Sequence, residues 1–154
     1  MPNASPSPDL ESIIAFAIAR EEEAAAGYAE LMRSAETPGL RDLLRELRDE
    51  EREHKRLLEG LDPAAAGTFE PAAVEDLGIT DGLQAEPPHP EMSFQDALIL
   101  AARKEERSAR LYAGLAARAA REEDRRLFEF LAVQEKLHKL KLETEYDRRV
   151  LTED

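Results

Sequence analysis

Cysteine is missing from all 154 residues, which excludes disulfides, thiolate zinc sites, iron–sulfur clusters and thiol nucleophiles. Bases are scarce: 21 Lys and Arg face 34 Asp and Glu, a formal net charge of −13. A surface of that sign repels phosphate backbones, so nucleic acid is not an expected partner. Apolar runs of about eighteen residues free of charge are also lacking, and no membrane-spanning helix is expected. Residues 1–8 have neither the basic nor the apolar stretch of a signal peptide, which makes the cytoplasm the expected location. What is present is 42% hydrophobic residues at helical spacing, in a length that suits one domain able to bury a core.

Four segments carry that spacing, and almost nothing between them alternates with the period of a strand, so the chain reads as all-α. The first helix begins near Asp9, with a stripe of Ile14, Ala17, Ile18, Ala25, Tyr28, Leu31 and Met32. Thr37 and Pro38 open the second as N-cap and first helical residue, followed by Leu40, Leu43, Leu44, Leu47, Leu57, Leu58 and Leu61. Ser93 and Asp96 open the third, with Leu98, Ala101, Ala109, Tyr112 and Leu115 on its stripe. The fourth starts near Glu122 or Glu123 and carries Leu127, Leu131, Leu142, Tyr146 and Val150. Short gaps within each pair predict two antiparallel hairpins, at 9–61 and 93–151, inside a domain spanning 9–154. Residues 1–8 read as a disordered tail. Between the hairpins, 62–92 holds Pro63, Pro71, Pro87, Pro88 and Pro90 and reads as a long crossover connector, with one short helical turn at 72–77. The expected architecture is a four-helix bundle.

A constant offset of 84 lays the second hairpin on the first, pairing Ala17 with Ala101, Tyr28 with Tyr112, Leu31 with Leu115, Leu43 with Leu127, Leu47 with Leu131 and Leu58 with Leu142. Shared leucines are weak evidence of a repeat, because any two amphipathic helices can be slid into agreement. The polar matches are stronger: Glu21 with Glu105, Glu51 with Glu135, and His54 with His138. Each histidine follows its glutamate by three residues, so the two side chains share a helix face. All six lie on the apolar stripes.

Four carboxylates converging in a helical core repel one another and lose hydration worth several kcal/mol each unless they are paired or bind metal. No Arg or Lys occupies those stripe positions. Two divalent cations would balance the four charges. An oxygen-rich set with one imidazole per metal suits iron or manganese better than calcium or structural zinc.

With these residues in place, the sequence resembles the rubrerythrin-like branch of the ferritin-like superfamily from about Leu10 to Leu151, most specifically over DALILAARKEERSARLYAGL (96–115) and FEFLAVQEKLHKLKLETEYDRRVL (128–151). The resemblance implies a ferritin-like bundle with Glu21, Glu51, His54, Glu105, Glu135 and His138 as ligands of two iron ions, with manganese or a mixed pair as variants. Tyr28 and Tyr112 would be partners of the ligand glutamates. It also implies oxidation of ferrous iron with, or reduction of, O2 or H2O2, and a homodimer. Competing expectations are an iron-binding or storage module without turnover and a purely structural bundle. The sequence departs from the family pattern at Ser108, where a further glutamate is usual, and its two-fold mate is Ala24. A cysteine-ligated rubredoxin domain is missing from this sequence, so electrons are expected from a separate donor such as a rubredoxin or from ferrous iron itself.

Several acids are decoys. Glu22 and Glu106 also obey the offset, but the face through Glu106 carries Arg103 and Arg110 and reads as solvated surface. Glu50 stands four residues before His54 and could share a metal with it, yet its mate is Gln134, which favours Glu51. Glu53 pairs with Leu137 and reads as exposed charge. His89, among prolines and without a mate, reads as a loop residue.

Overall fold

The computed structural model describes residues 10–62 and 92–153. They form four helices: α1 (Leu10–Arg33), α2 (Pro38–Glu59), α3 (Phe94–Arg118) and α4 (Glu122–Glu153), with no strand among the described residues. The repeat governs the boundaries. α1 and α3 begin 84 residues apart, as do α2 and α4. The expected tail, the Asp9 cap, His89 and the turn at 72–77 fall outside the described residues.

Local chemistry explains the starts. Thr37 is extended and its hydroxyl accepts from the Leu40 amide at 3.1 Å, with Pro38 in the first turn; Ser93 does the same for Asp96 at 3.1 Å. Glu122, Glu123 and Asp124 crowd the first turn of α4, where the helix dipole favours acids, and Asp124 is held by Arg121 at 2.9 Å.

The buried seam of α2 runs Leu40, Leu44, Leu47, Glu51, His54 and Leu58, steps of four and three that keep one face toward the partner helices. α3 follows the same rhythm with Leu98, Ala102, Glu105, Ala109 and Tyr112. The seams meet in two apolar clusters. One joins the start of α1 (Ile13, Ala17), the end of α2 (Leu58), the end of α3 (Leu111, Leu115) and the start of α4 (Phe128, Leu131). The other joins the end of α1 (Tyr28), the start of α2 (Leu44, Leu47), the start of α3 (Leu98) and the end of α4 (Leu142). This distribution makes α1 antiparallel to both α2 and α3, and α2 parallel to α3. α2 therefore ends and α3 begins at opposite ends of the bundle. Each fully buried leucine contributes about 1.5–3 kcal/mol to this frame.

Val150, expected on the core stripe of α4, is exposed, and Phe128, which that stripe leaves out, lies in the core. The cause is that α4 is apolar on more than one face, so periodicity alone cannot choose its inner side. Phe130, Val133, Leu137 and Leu140 form a second stripe on α4, 43–59% exposed. Their mates on α2 are Glu46, Asp49, Glu53 and Arg56, all exposed.

Candidate metal centre

Between the two apolar clusters, one layer from each helix turns polar. α1 supplies Glu21, α2 Glu51 and His54, α3 Glu105, and α4 Glu135 and His138, all at most 2% exposed. Thus all six side chains singled out in the sequence converge on one buried site. Their donor atoms form two overlapping groups, Glu21, Glu51, His54 and Glu135, and Glu51, Glu105, Glu135 and His138, within each of which one atom per residue lies within 4.8 Å of the others. Glu51 and Glu135 belong to both groups. The imidazoles stack nearly parallel, 13° apart with centroids 5.6 Å apart.

Each histidine turns Nδ1 inward. His54 Nδ1 lies 2.8 Å from Glu135, 3.7 Å from Glu21 and 3.8 Å from Glu51; His138 Nδ1 lies 2.6 Å from Glu51, 3.6 Å from Glu105 and 3.9 Å from Glu135. The tyrosines cross between hairpins. Tyr112 of α3 donates to Glu21 Oε1 at 2.5 Å, and Tyr28 of α1 donates to Glu105 Oε1. Each phenol thus holds the outer oxygen of the opposite hairpin's glutamate and leaves Oε2 free to face inward.

The chain matches the family model for rubrerythrin over residues 12–146. It belongs to the rubrerythrin family. A solved structure, a hypothetical protein from Pyrococcus furiosus, is 24% identical and superposes with a TM-score of 0.68, covering 90% of this chain and 89% of that one. That likeness supports the ferritin-like fold. No curated protein matches the chain.

Whether metal suits this rubrerythrin-family site can be read from its orphaned atoms. Glu21 Oε2, Glu51 Oε1, Glu105 Oε2, Glu135 Oε2 and His138 Nδ1 are buried without an aligned hydrogen-bond partner. Buried polar atoms are rarely left so, and unpaired carboxylate oxygens are the costliest. Of the seven buried side-chain atoms so placed among the described residues, these five belong to the candidate ligands and are gathered at one site, so the donor set fits cations. Proton affinities tell the same story. Burial, followed by the charge of Glu105, pushes the carboxyls of Glu51 and Glu135 well above the usual range. Burial also raises Glu21, but contacts with Glu51 and His54 outweigh it and hold that carboxyl low. Burial together with the neighbouring glutamates keeps both phenols protonated. Without metal, protons are what neutralise the cluster.

The decoys sort as expected. Glu22 is exposed and pairs with Lys55 at 2.9 Å, Glu106 with Arg110 at 3.8 Å, and Glu53 with Arg56. Glu50 does not join His54; its Oε2 lies 2.5 Å from Nε2 of His138, in the other hairpin. A contact across hairpins has no signature in the local spacing of α2. Beside the centre, a cavity of about 470 Å³ opens between α1 and α3, reaching Tyr28 and Glu105 and lined also by Ala24, Gly27, Leu31 and Leu100.

Proposed function

We propose that the protein is a di-iron carboxylate oxidoreductase acting on O2 or H2O2, with ferrous iron or a separate donor such as a rubredoxin as the source of electrons. The observation that carries this reading is the pair of overlapping donor groups sharing Glu51 and Glu135. Glu51 and Glu135, common to both groups, would serve two ions together, Glu21 with His54 would complete the donors for one, and Glu105 with His138 those for the other. Bound there, iron supplies one-electron redox chemistry toward a small oxidant. Manganese, alone or mixed with iron, suits the same donors. The chain's own residues do the rest. Tyr112 and Tyr28 orient the glutamates, the flanking leucine clusters exclude bulk water, and the α1–α3 cavity gives a small oxidant a way to Glu105.

Anaerobic titration with ferrous iron should saturate at about two ions per chain, and admission of air should then produce near-ultraviolet ferric absorption. Repeated cycles with an external reductant distinguish turnover from storage. Retention of the ferric product through those cycles would favour the storage reading, and absence of any saturable binding would sink both.

The α4 stripe favours a homodimer. Because the equivalent face of α2 is charged, the fold itself does not require Phe130, Val133, Leu137 and Leu140 to be apolar. Their steps of three, four and three are those of a coiled-coil seam, which a second α4 can match about a two-fold axis. Light scattering should give twice the chain mass, and the double change Val133→Glu with Leu140→Glu should give the monomer with an unchanged helical spectrum. A wild-type monomer would rule this surface out.

A further inference from the structure

The internal two-fold maps the four glutamates and both histidines onto one another, then fails one turn away. Glu50 stands where the symmetry puts Gln134, and Glu46 where it puts Phe130. Consequently the two imidazoles have different outer partners. His138 faces the cluster through Nδ1 and has Glu50 Oε2 at 2.5 Å from Nε2. For His54, every carboxylate within 4.0 Å among the described residues approaches at Nδ1. Also from α4, Phe130 lies edge-on to the His54 ring, with centroids 6.3 Å apart.

A carboxylate that accepts Nε2–H fixes the tautomer whose lone pair is on Nδ1, locks the ring plane and makes the imidazole a better donor; loss of such a partner typically costs about 10–100-fold in metal affinity. A neutral amide or a phenyl ring does this less well or not at all. We infer that Glu50 is a positioning residue that makes the two metal positions unequal, the tighter being the one formed by Glu51, Glu105, Glu135 and His138. The inference rests on the metal-site reading above and goes beyond it, because a symmetric ligand set by itself predicts two equal positions. Glu50 is about one third exposed and lies outside the set of buried ligands, so its replacement leaves every ligand in place.

The test is calorimetric titration with Mn(II), which stays divalent in air. Wild-type protein should bind two ions in steps separated by about 10–100-fold. Glu50→Gln should weaken the first step by that factor and leave the second within about twofold, bringing the two together. Gln134→Glu should tighten the second step instead. In a His138→Ala background, Glu50→Gln should change nothing, because the group through which it acts is gone. Two equal steps in the wild type would overturn the inference while leaving the metal site standing. So would Glu50→Gln weakening both steps alike, weakening neither, or acting undiminished without His138. Failure of the wild type to bind Mn(II), Fe(II) or Co(II) at all would overturn the metal-site reading itself.

Discussion

Glu51→Gln is expected to stabilise the metal-free protein and at the same time remove its ability to be stabilised by metal. Glu51 is 1% exposed, its Oε1 has no aligned partner, and burial with the charge of Glu105 holds its carboxyl well above the ordinary range. A group whose folded pKa is raised contributes stability that is fully present below its unfolded value and is lost as pH rises through the folded one. The amide has the shape of the protonated acid and never ionises, so it escapes that loss. Near pH 5 the variant and the wild type should melt together. By about pH 8 the variant should be ahead by roughly 1–2 kcal/mol, in keeping with the gains seen when buried charges are replaced. For a chain of this length that is about 2–4 °C per kcal/mol. Metal reverses the order. Saturating Mn(II) at a hundred times its dissociation constant should add about 2.7 kcal/mol to the wild type. The variant has lost a donor common to both groups, a larger defect than the 10–100-fold typical of an outer partner, and should gain little. Scanning calorimetry with chelator and with Mn(II) at the two pH values measures all four combinations. An equal Mn(II) response in both proteins would mean that Glu51 holds no metal, and a variant that melts lower in chelator at pH 8 would mean that the carboxylate is not repelled.

That opposition between stability and function explains why so much of this molecule is legible in its sequence. A fold indifferent to metal has no use for four glutamates on apolar stripes, so Glu21, Glu51, Glu105 and Glu135 stand out by their position. The offset of 84 separates them from exposed acids such as Glu53, which has no acidic mate. Caps at Thr37 and Ser93 are local and could be read locally. What could not be read depends on contacts between distant parts of the chain. Nothing in the spacing says that Tyr28 serves Glu105 and Tyr112 serves Glu21, because the crossing is produced by α1 lying antiparallel to α3. The i+4 spacing pairs Glu50 with the histidine on its own helix, whereas in the fold it meets the one on α4. The double stripe of α4 concealed both Phe128 and the exposure of Val150, since a helix apolar on two faces has no single inward direction.

His138 should respond in the opposite sense to Glu51. His138 is fully buried, and although burial works against its charge, the carboxylates of Glu105 and Glu51 outweigh that effect and push its pKa up to about 11. In the metal-free protein at neutral pH it is therefore a cation inside a cluster of acids, taking a place that metal would otherwise fill. His138→Ala removes that cation and leaves Glu51, Glu105 and Glu135 to face one another. Breaking a buried pair in this way costs about 3–5 kcal/mol, several times the gain expected from Glu51→Gln and of opposite sign. The pH dependence separates charge from packing. A raised histidine contributes stability that is complete below about pH 6.5, its unfolded value, and is lost as pH climbs through the folded one. The penalty for His138→Ala should therefore be largest near pH 6.5 and shrink steadily toward pH 10, whereas the cost of an empty cavity would be the same throughout. Melting curves in chelator at several pH values decide between them. If the penalty is flat with pH, His138 is neutral in the metal-free core and protons on the glutamates alone neutralise the cluster. If it shrinks as expected, combining His138→Ala with Glu51→Gln should recover part of the loss, because the acid that most needed the cation has been removed with it.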